Sequence, residues 1–413
     1  VRAARRITAA VCAVALASAC GSEESGTTVN VYYSTEENFD QVVAKCTEAA
    51  GGRYRIALNT LPREADGQRE QMVRRLAAGD SDMDVLGLDV TWVAEFAEAG
   101  WIAEWTGADK SAVEDGTLEG PLDTARWTGK LYAAPKNTNV QLLWYRGDLV
   151  TQPPSTWAEM LDQARALKAA GKPSTVLMTG AQYEGLVVQF ATLVASAGGK
   201  ILSDDSTRAV VDDGAVRALQ ALRDLATSPV SSPSLSNAKE DDIRLAFQGG
   251  EAAFQLNWPF VYAAMAKANP ELASKMKWAP YPSVDQGKAG TVTIGGFNLA
   301  VSEYSRHKAE AFEAAKCLRD AESQKYSAIN SGVPPTIESV YDDPDLAGPY
   351  PMRDAIRAEL KRAAVRPLTP AYQTVSTLIS TILSPPSSID PPATADRLRK
   401  ELQDALDSKG VLP

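Results

Sequence analysis

Several side chains stand where a chain would present chemistry to a bound molecule rather than bury it. Asp89 closes an apolar, β-prone run over 84–90, and in open α/β sheets that carboxyl end is where ligands are met. Asn137 and Asn139 lie between two extended runs, 131–135 and 140–145. Trp258 follows Asn257 and precedes Pro259 at the exit of a strand-like segment, 252–256. Arg366 is held extended by Pro367. Carboxylates and planar amides match pairs of hydroxyls, a guanidinium fork bridges oxygens, and an indole covers an apolar C–H face. Each of these residues also has a plainer role open to it. Asp89 could cap the helix that follows, the asparagines could bond their own backbone in a turn, Trp258 could be core, and Arg366 could sit in a surface ion pair worth little.

Other chemistry is thinly represented. The single histidine, His307, stands beside Lys308 at a helix start and reads as a solvated residue. No Cys/His cluster has metal-ligand spacing, so neither metal nor cofactor is expected. The net charge of −10 argues against nucleic acid, whose binding needs clustered Lys and Arg.

The elements that must position these residues follow from pattern. Strands are expected over 29–33, 53–61 and 84–90, with helices over 39–50, 69–78 and 91–99; Thr91 is the expected N-cap of the last. This β-α-β-α-β-α alternation predicts a parallel sheet covered by helices. Further helices are expected over 157–170, 184–195, 215–226, 241–247 and 308–320, with extended segments over 291–294 and 299–301. The 413 residues are too many for one ordinary core and suit two lobes. No internal repeat is present.

The first residues read as a targeting segment. Arg2, Arg5 and Arg6 precede a short apolar stretch over 7–16, too short to span a bilayer. Ala17-Ser18-Ala19-Cys20 then resembles a bacterial lipobox, which implies lipid on Cys20, with Ala17 standing where the usual leucine would be; ordinary secretion is the alternative. Residues 21–26 are a polar, flexible tether. With Cys20 assigned to lipid, Cys46 and Cys317 remain as a disulfide in an oxidising compartment, or as two buried thiols. A disulfide would require both to share one lobe, so that the chain leaves the first lobe, builds a second and returns. Several crossings make a multi-strand hinge.

The order of segments resembles the extracytoplasmic solute-binding proteins of ABC sugar importers, the maltose-binding-protein-like class. The stretches are Asp84-Val85-Leu86-Gly87-Leu88-Asp89, residues 96–102, Gly129-Lys130-Leu131-Tyr132-Ala133-Ala134-Pro135 through Arg146, residues 246–259, and Gly295-Gly296-Phe297-Asn298-Leu299-Ala300-Val301 with the helix after it. Within the class, residues 94–101, 257–261 and 364–370 resemble the trehalose-binding lipoproteins of mycobacteria, as does the Cys46 and Cys317 pair.

The resemblance implies a two-lobed, periplasmic-binding-protein-like (Venus-flytrap) α/β fold, each lobe a mostly parallel sheet flanked by helices. Residues 1–19 would be leader and 20–28 lipidated cysteine and tether. Residues 29–137 with 291–333 would form lobe I, and 138–290 with 334–413 lobe II. It implies trehalose, or a close α-linked glucose disaccharide, as ligand, and ABC permease subunits with their ATPase as partners. The chain would be a monomer on the outer face of the cell membrane, held there by its lipid, and not an enzyme. Ligand contacts on this reading are Asp89, Asn139, Trp258 and Arg366, with Glu37 and Asn38 after the first strand, Gln68 in a loop before a helix, Glu240 ahead of another, and Gly295 and Gly296 where a backbone approaches closely. A secreted glycoside hydrolase acting on α-glucosides is the alternative, because 52 acidic residues guarantee some carboxylate pair in any cleft.

Overall fold

The computed structural model describes residues 26–408. The leader, Cys20 and most of the tether lie outside the described residues. Strand β1 (Thr27–Tyr33) places Val29, Val31 and Tyr33 inward by simple alternation. It pairs in parallel with β2 (Tyr54–Thr60) and β3 (Val85–Asp89). The crossover helices between them are Phe39–Ala49 and Ala65–Ala77. A short hairpin, β4 (Arg126–Trp127) and β5 (Lys130–Leu131), leads into β6 (Ala134–Asn139) and then β7 (Leu142–Arg146). Strands β8 (Thr175–Leu177), β9 (Ala252–Asn257), β10 (Met276–Ala279) and β11 (Gly295–Val301) complete the set.

Besides the two-stranded β4–β5 hairpin, two larger sheets result, ordered β2-β1-β3-β11-β6 and β10-β7-β9-β8. Each carries its own core. One is built around Val31, Leu88, Phe96, Trp105 and Leu318, the other around Trp144, Phe190, Phe254 and Leu398. The molecule is a two-lobed α/β protein whose sheets are mixed, not mostly parallel. Strand β11 runs antiparallel to both β3 and β6, and in the second sheet only β8 and β9 are parallel. The reason is connectivity. Neighbouring parallel strands need a crossover connection, usually a helix, and β1 to β3 have one at each step. Strand β11 instead enters from the other lobe, at the edge where β3 ends, and so runs the opposite way.

That edge is also the hinge. The chain leaves through the end of β6, returns at the start of β11, and leaves again after the helix Ala321–Ser331. The crossings lie side by side. Thr138 N–H donates to the Pro334 carbonyl at 3.0 Å, and Thr293 bridges Ala364 in parallel. Cys46 and Cys317 are disulfide-bonded, with Cα atoms 5.8 Å apart, and tie the helix Phe39–Ala49 to the helix Lys308–Leu318. Both belong to the lobe of the first sheet, as a crosslink between them requires.

Local expectations fail in four places. Lys136 to Asn139 are part of β6 and no interruption: Asn137 accepts from the Tyr33 hydroxyl at 2.9 Å, so an amide that reads as a turn former is satisfied inside a sheet. Gly295 and Gly296 lie within β11. Gln68 is inside the helix Ala65–Ala77 and not in a loop; Gly67 beside it weakens the helical signal. The third helix spans only Val93–Glu98, with Trp92 at its cap, because Thr91 turns back to bond Asp89.

Candidate functional site

Asp89 ends β3 at the hinge edge. Its Oδ1 accepts from Thr91 N–H at 3.0 Å and from the Thr91 hydroxyl at 2.8 Å. Asp89 is thus tied to Thr91 ahead of the helix Val93–Glu98 and does not cap it, since Trp92 holds that position with no side-chain bond. Facing it from the second lobe stands Arg366, positioned by backbone pairing just before it. Ala364 N–H donates to the Val292 carbonyl at 2.8 Å, and Ile294 N–H donates to the Ala364 carbonyl at 2.9 Å. Pro367 then keeps the segment extended.

Arg366 is only 3% exposed, and its fork is divided between the lobes. Nη2 donates to Asp89 Oδ1 at 3.2 Å, and Nη1 donates to Glu184, the first residue of the helix Glu184–Ser196. Glu184 also accepts from the Tyr372 hydroxyl at 2.7 Å and from the Ser376 hydroxyl. Burial alone would lower the Arg366 pKa, but the Tyr372 oxygen and the Asp89 and Glu184 carboxylates hold it raised. Burial pushes the Glu184 carboxyl up, and the Arg366 charge opposes that rise. The third guanidinium nitrogen, Nε, is buried with no partner among the described residues. Leaving a charged donor so costs about 1–3 kcal/mol or more, which a ligand oxygen would offset.

From Glu184 a series of bonds leads on to the backbone of Trp258. Tyr183, the neighbour of Glu184, donates its hydroxyl to Glu240, the first residue of the helix Glu240–Gln248. Burial raises the Glu240 carboxyl, and this hydroxyl opposes the rise. The Glu240 carbonyl accepts from Asn257 Nδ2 at 3.1 Å, and Asn257 Oδ1 accepts from Trp258 N–H at 2.8 Å. Trp258, half-buried, thus leaves β9 with its backbone fixed by the residue before it.

The indole lies over Gly295: a Cβ built there would fall 2.9 Å from the ring. Asn139, which pairs with Gly295 in the β6–β11 ladder, has a buried Oδ1 with no partner among the described residues. Gly296 adopts φ 124°, and a Cβ on it would fall 2.3 Å from the Asn137 carbonyl. The close approaches made by the two glycines are to Trp258 and β6.

Asp89, Arg366, Glu240, Trp258, Asn139, Gly295 and Gly296 therefore fall in one connected region at the hinge edge. Three other candidates bond elsewhere among the described residues. Gln68 is 2% exposed and donates to the Pro62 and Arg63 carbonyls, with Oε1 unpartnered among the described residues. Glu37 pairs with Lys267, and Asn38 donates to the Asn330 carbonyl at 3.2 Å. Glu37 and Asn38 line a surface depression of about 500 Å³ together with Tyr262 and Lys267.

Sequence reasoning missed Glu184, Tyr372, Ser376 and Asp66. Burial raises the Asp66 carboxyl, opposed by the Gln373 amide and reinforced by Asp89. One signal was available: Glu184 opens a helix with twelve of its thirteen residues buried, and a carboxylate leading so apolar a run needs a partner.

Comparison with known proteins agrees with this architecture. Residues 33–325 match the family described as bacterial extracellular solute-binding protein. A probable ABC transporter-binding protein of Deinococcus radiodurans is 29% identical over 385 residues, covering 87% of this chain and 88% of that protein. The structure of maltose-bound MalE3 of T. maritima superposes with a TM-score of 0.84 at 29% identity, covering 92% of this chain and 99% of that one. The GacH receptor of Streptomyces glaucescens shares the fold, with a TM-score of 0.81 at 22% identity over 92% of this chain and 99% of its own. The family binds solutes outside the cytoplasm and does not transform them. By its match over most of its length, by its two lobes and by its hinge-edge site, this chain belongs to the bacterial extracellular solute-binding proteins.

Proposed function

We propose that this protein captures trehalose, or a close α-linked glucose disaccharide, between its lobes and hands it unaltered to the permease subunits of an ABC importer and their ATPase. On this reading Trp258 covers a pyranose face. Asp89, Asn139 and Arg366 take hydroxyls, Glu240 accepts from one, and Gln68, Glu37 and Asn38 stand further out. The protein works as a monomer, held at the outer face of the membrane by lipid on Cys20.

The observation that carries the reading is the run of contacts from Asp89 through Arg366, Glu184 and Glu240 to the half-buried Trp258. It joins the two lobes at their hinge edge and pairs its one guanidinium with carboxylates, an environment for a neutral ligand. A sugar is supported by the T. maritima relative, which is maltose bound. Trehalose is supported by residues 94–101, 257–261 and 364–370, which resemble the mycobacterial trehalose-binding lipoprotein LpqY. Binding energy enters as preference for the closed arrangement, since a ligand with equal affinity for both arrangements shifts nothing.

Calorimetric titration with trehalose, maltose and glucose, followed by an assay for released glucose, tests the proposal. Micromolar affinity, about −8 kcal/mol, for trehalose with no glucose formed is expected. Silence toward every saccharide refutes saccharide capture, and glucose release refutes delivery of an unaltered ligand. Binding of maltose but not trehalose refutes the trehalose assignment alone.

A further inference from the structure

The Glu184 carboxylate is buried at 6% exposure and already receives three donors: Arg366, the Tyr372 hydroxyl and the Ser376 hydroxyl. Two of these come from the helix Tyr372–Leu383, so its place is fixed by packing within its own lobe. A carboxylate so engaged has little to offer a ligand oxygen, and its effect runs through Arg366. That guanidinium meets carboxylates of both lobes, Glu184 on one side and Asp89 on the other. When the lobes part, Asp89 departs with the first sheet. Glu184 is the charge that stays, and without it Arg366 would be a buried, uncompensated cation free to reorient.

We infer that Glu184 is the positioning residue for Arg366: it fixes the guanidinium in the second lobe so that Asp89 of the first meets it on closure, and ligand affinity depends on that contact. The link to affinity rests on the saccharide reading above; the fixing of Arg366 does not.

Two measurements test it. The first uses no sugar. In the 15N-labelled full chain, the Arg366 Nε–H resonance is assigned by its disappearance in Arg366→Lys. A resonance protected from exchange in the wild type, and exchanging at least tenfold faster in Glu184→Gln, supports the inference. No protected resonance in the wild type, or one unchanged by Glu184→Gln, overturns it.

The second titrates trehalose and maltose into Glu184→Gln, Arg366→Met and the double variant. Glu184→Gln is expected to weaken binding about tenfold, about 1.4 kcal/mol, while the double variant binds no more weakly than Arg366→Met. An equal loss from Glu184→Gln in both backgrounds, or no loss in the wild type, overturns the link. Glu184→Asp keeps the charge and should retain more affinity than Glu184→Gln; the reverse order also counts against it. If the wild type binds neither sugar, the ligand reading fails, and the resonance alone decides whether Glu184 holds Arg366.

Discussion

Removing the Cys46–Cys317 crosslink isolates one term of this architecture. The bond spans 271 residues of sequence, and the whole of the second sheet lies within that loop. If crosslinking acts by restricting the unfolded chain, a loop of this length is worth about 5.6 kcal/mol at 25 °C. If the second lobe stays folded while the first unfolds, the flexible loop shrinks by roughly 150 residues. The dependence is logarithmic, so the figure falls only to about 5 kcal/mol. Urea unfolding of Cys46→Ala/Cys317→Ala against the wild type measures it. A loss of about 3–5 kcal/mol is expected, with trehalose affinity within twofold, because neither helix bearing the cysteines supplies a group to the contacts from Asp89 to Trp258. A loss below about 1 kcal/mol would refute the loop argument. An affinity that falls in step with stability would refute the separation of crosslink from site.

Three further substitutions probe separate parts of the account. Trp258→Ala should weaken saccharide binding at least about hundredfold, close to 3 kcal/mol, with an unchanged circular dichroism spectrum; calorimetry at wild-type affinity would assign the indole to packing alone. Gly296→Ala should lower stability by about 2 kcal/mol or more, since both the backbone angle and the 2.3 Å approach to Asn137 oppose a side chain; thermal unfolding measures this. Burial pushes the Glu359 carboxyl from 4.5 up to about 7, with Arg362 opposing. Being raised in the folded state, it contributes stability that is complete below pH 4.5 and lost as pH rises through about 7, on the order of 3 kcal/mol. Glu359→Gln should flatten the fall of unfolding free energy across that window, and an unaltered slope would place the titration elsewhere.

What the sequence made legible follows the range of each signal. Strands and helices with a clean period, such as β1 and the helix Asp213–Ala226, could be read because a single face decides them. The mixed sheets could not, because the direction of β11 depends on its entering from the other lobe, which no local pattern records. The same limit applied to the site. Asp89 and Trp258 announced themselves as polar and aromatic groups at strand exits. Glu184 looked like the ordinary first residue of a helix, and its meaning depends on Arg366, 182 positions away. Asn137 misled for the opposite reason: its type favours a turn, and the distant Tyr33 hydroxyl satisfies its amide inside a strand.

The most direct test of the central claim is a crystal structure of the protein grown with trehalose. Sugar density between the Trp258 ring and the Asp89–Arg366 pair, with both lobes in contact with it, is the predicted result. A sugar seated elsewhere, for example in the depression beside Glu37 and Lys267, or lobes that stay apart around an empty hinge edge, would contradict it.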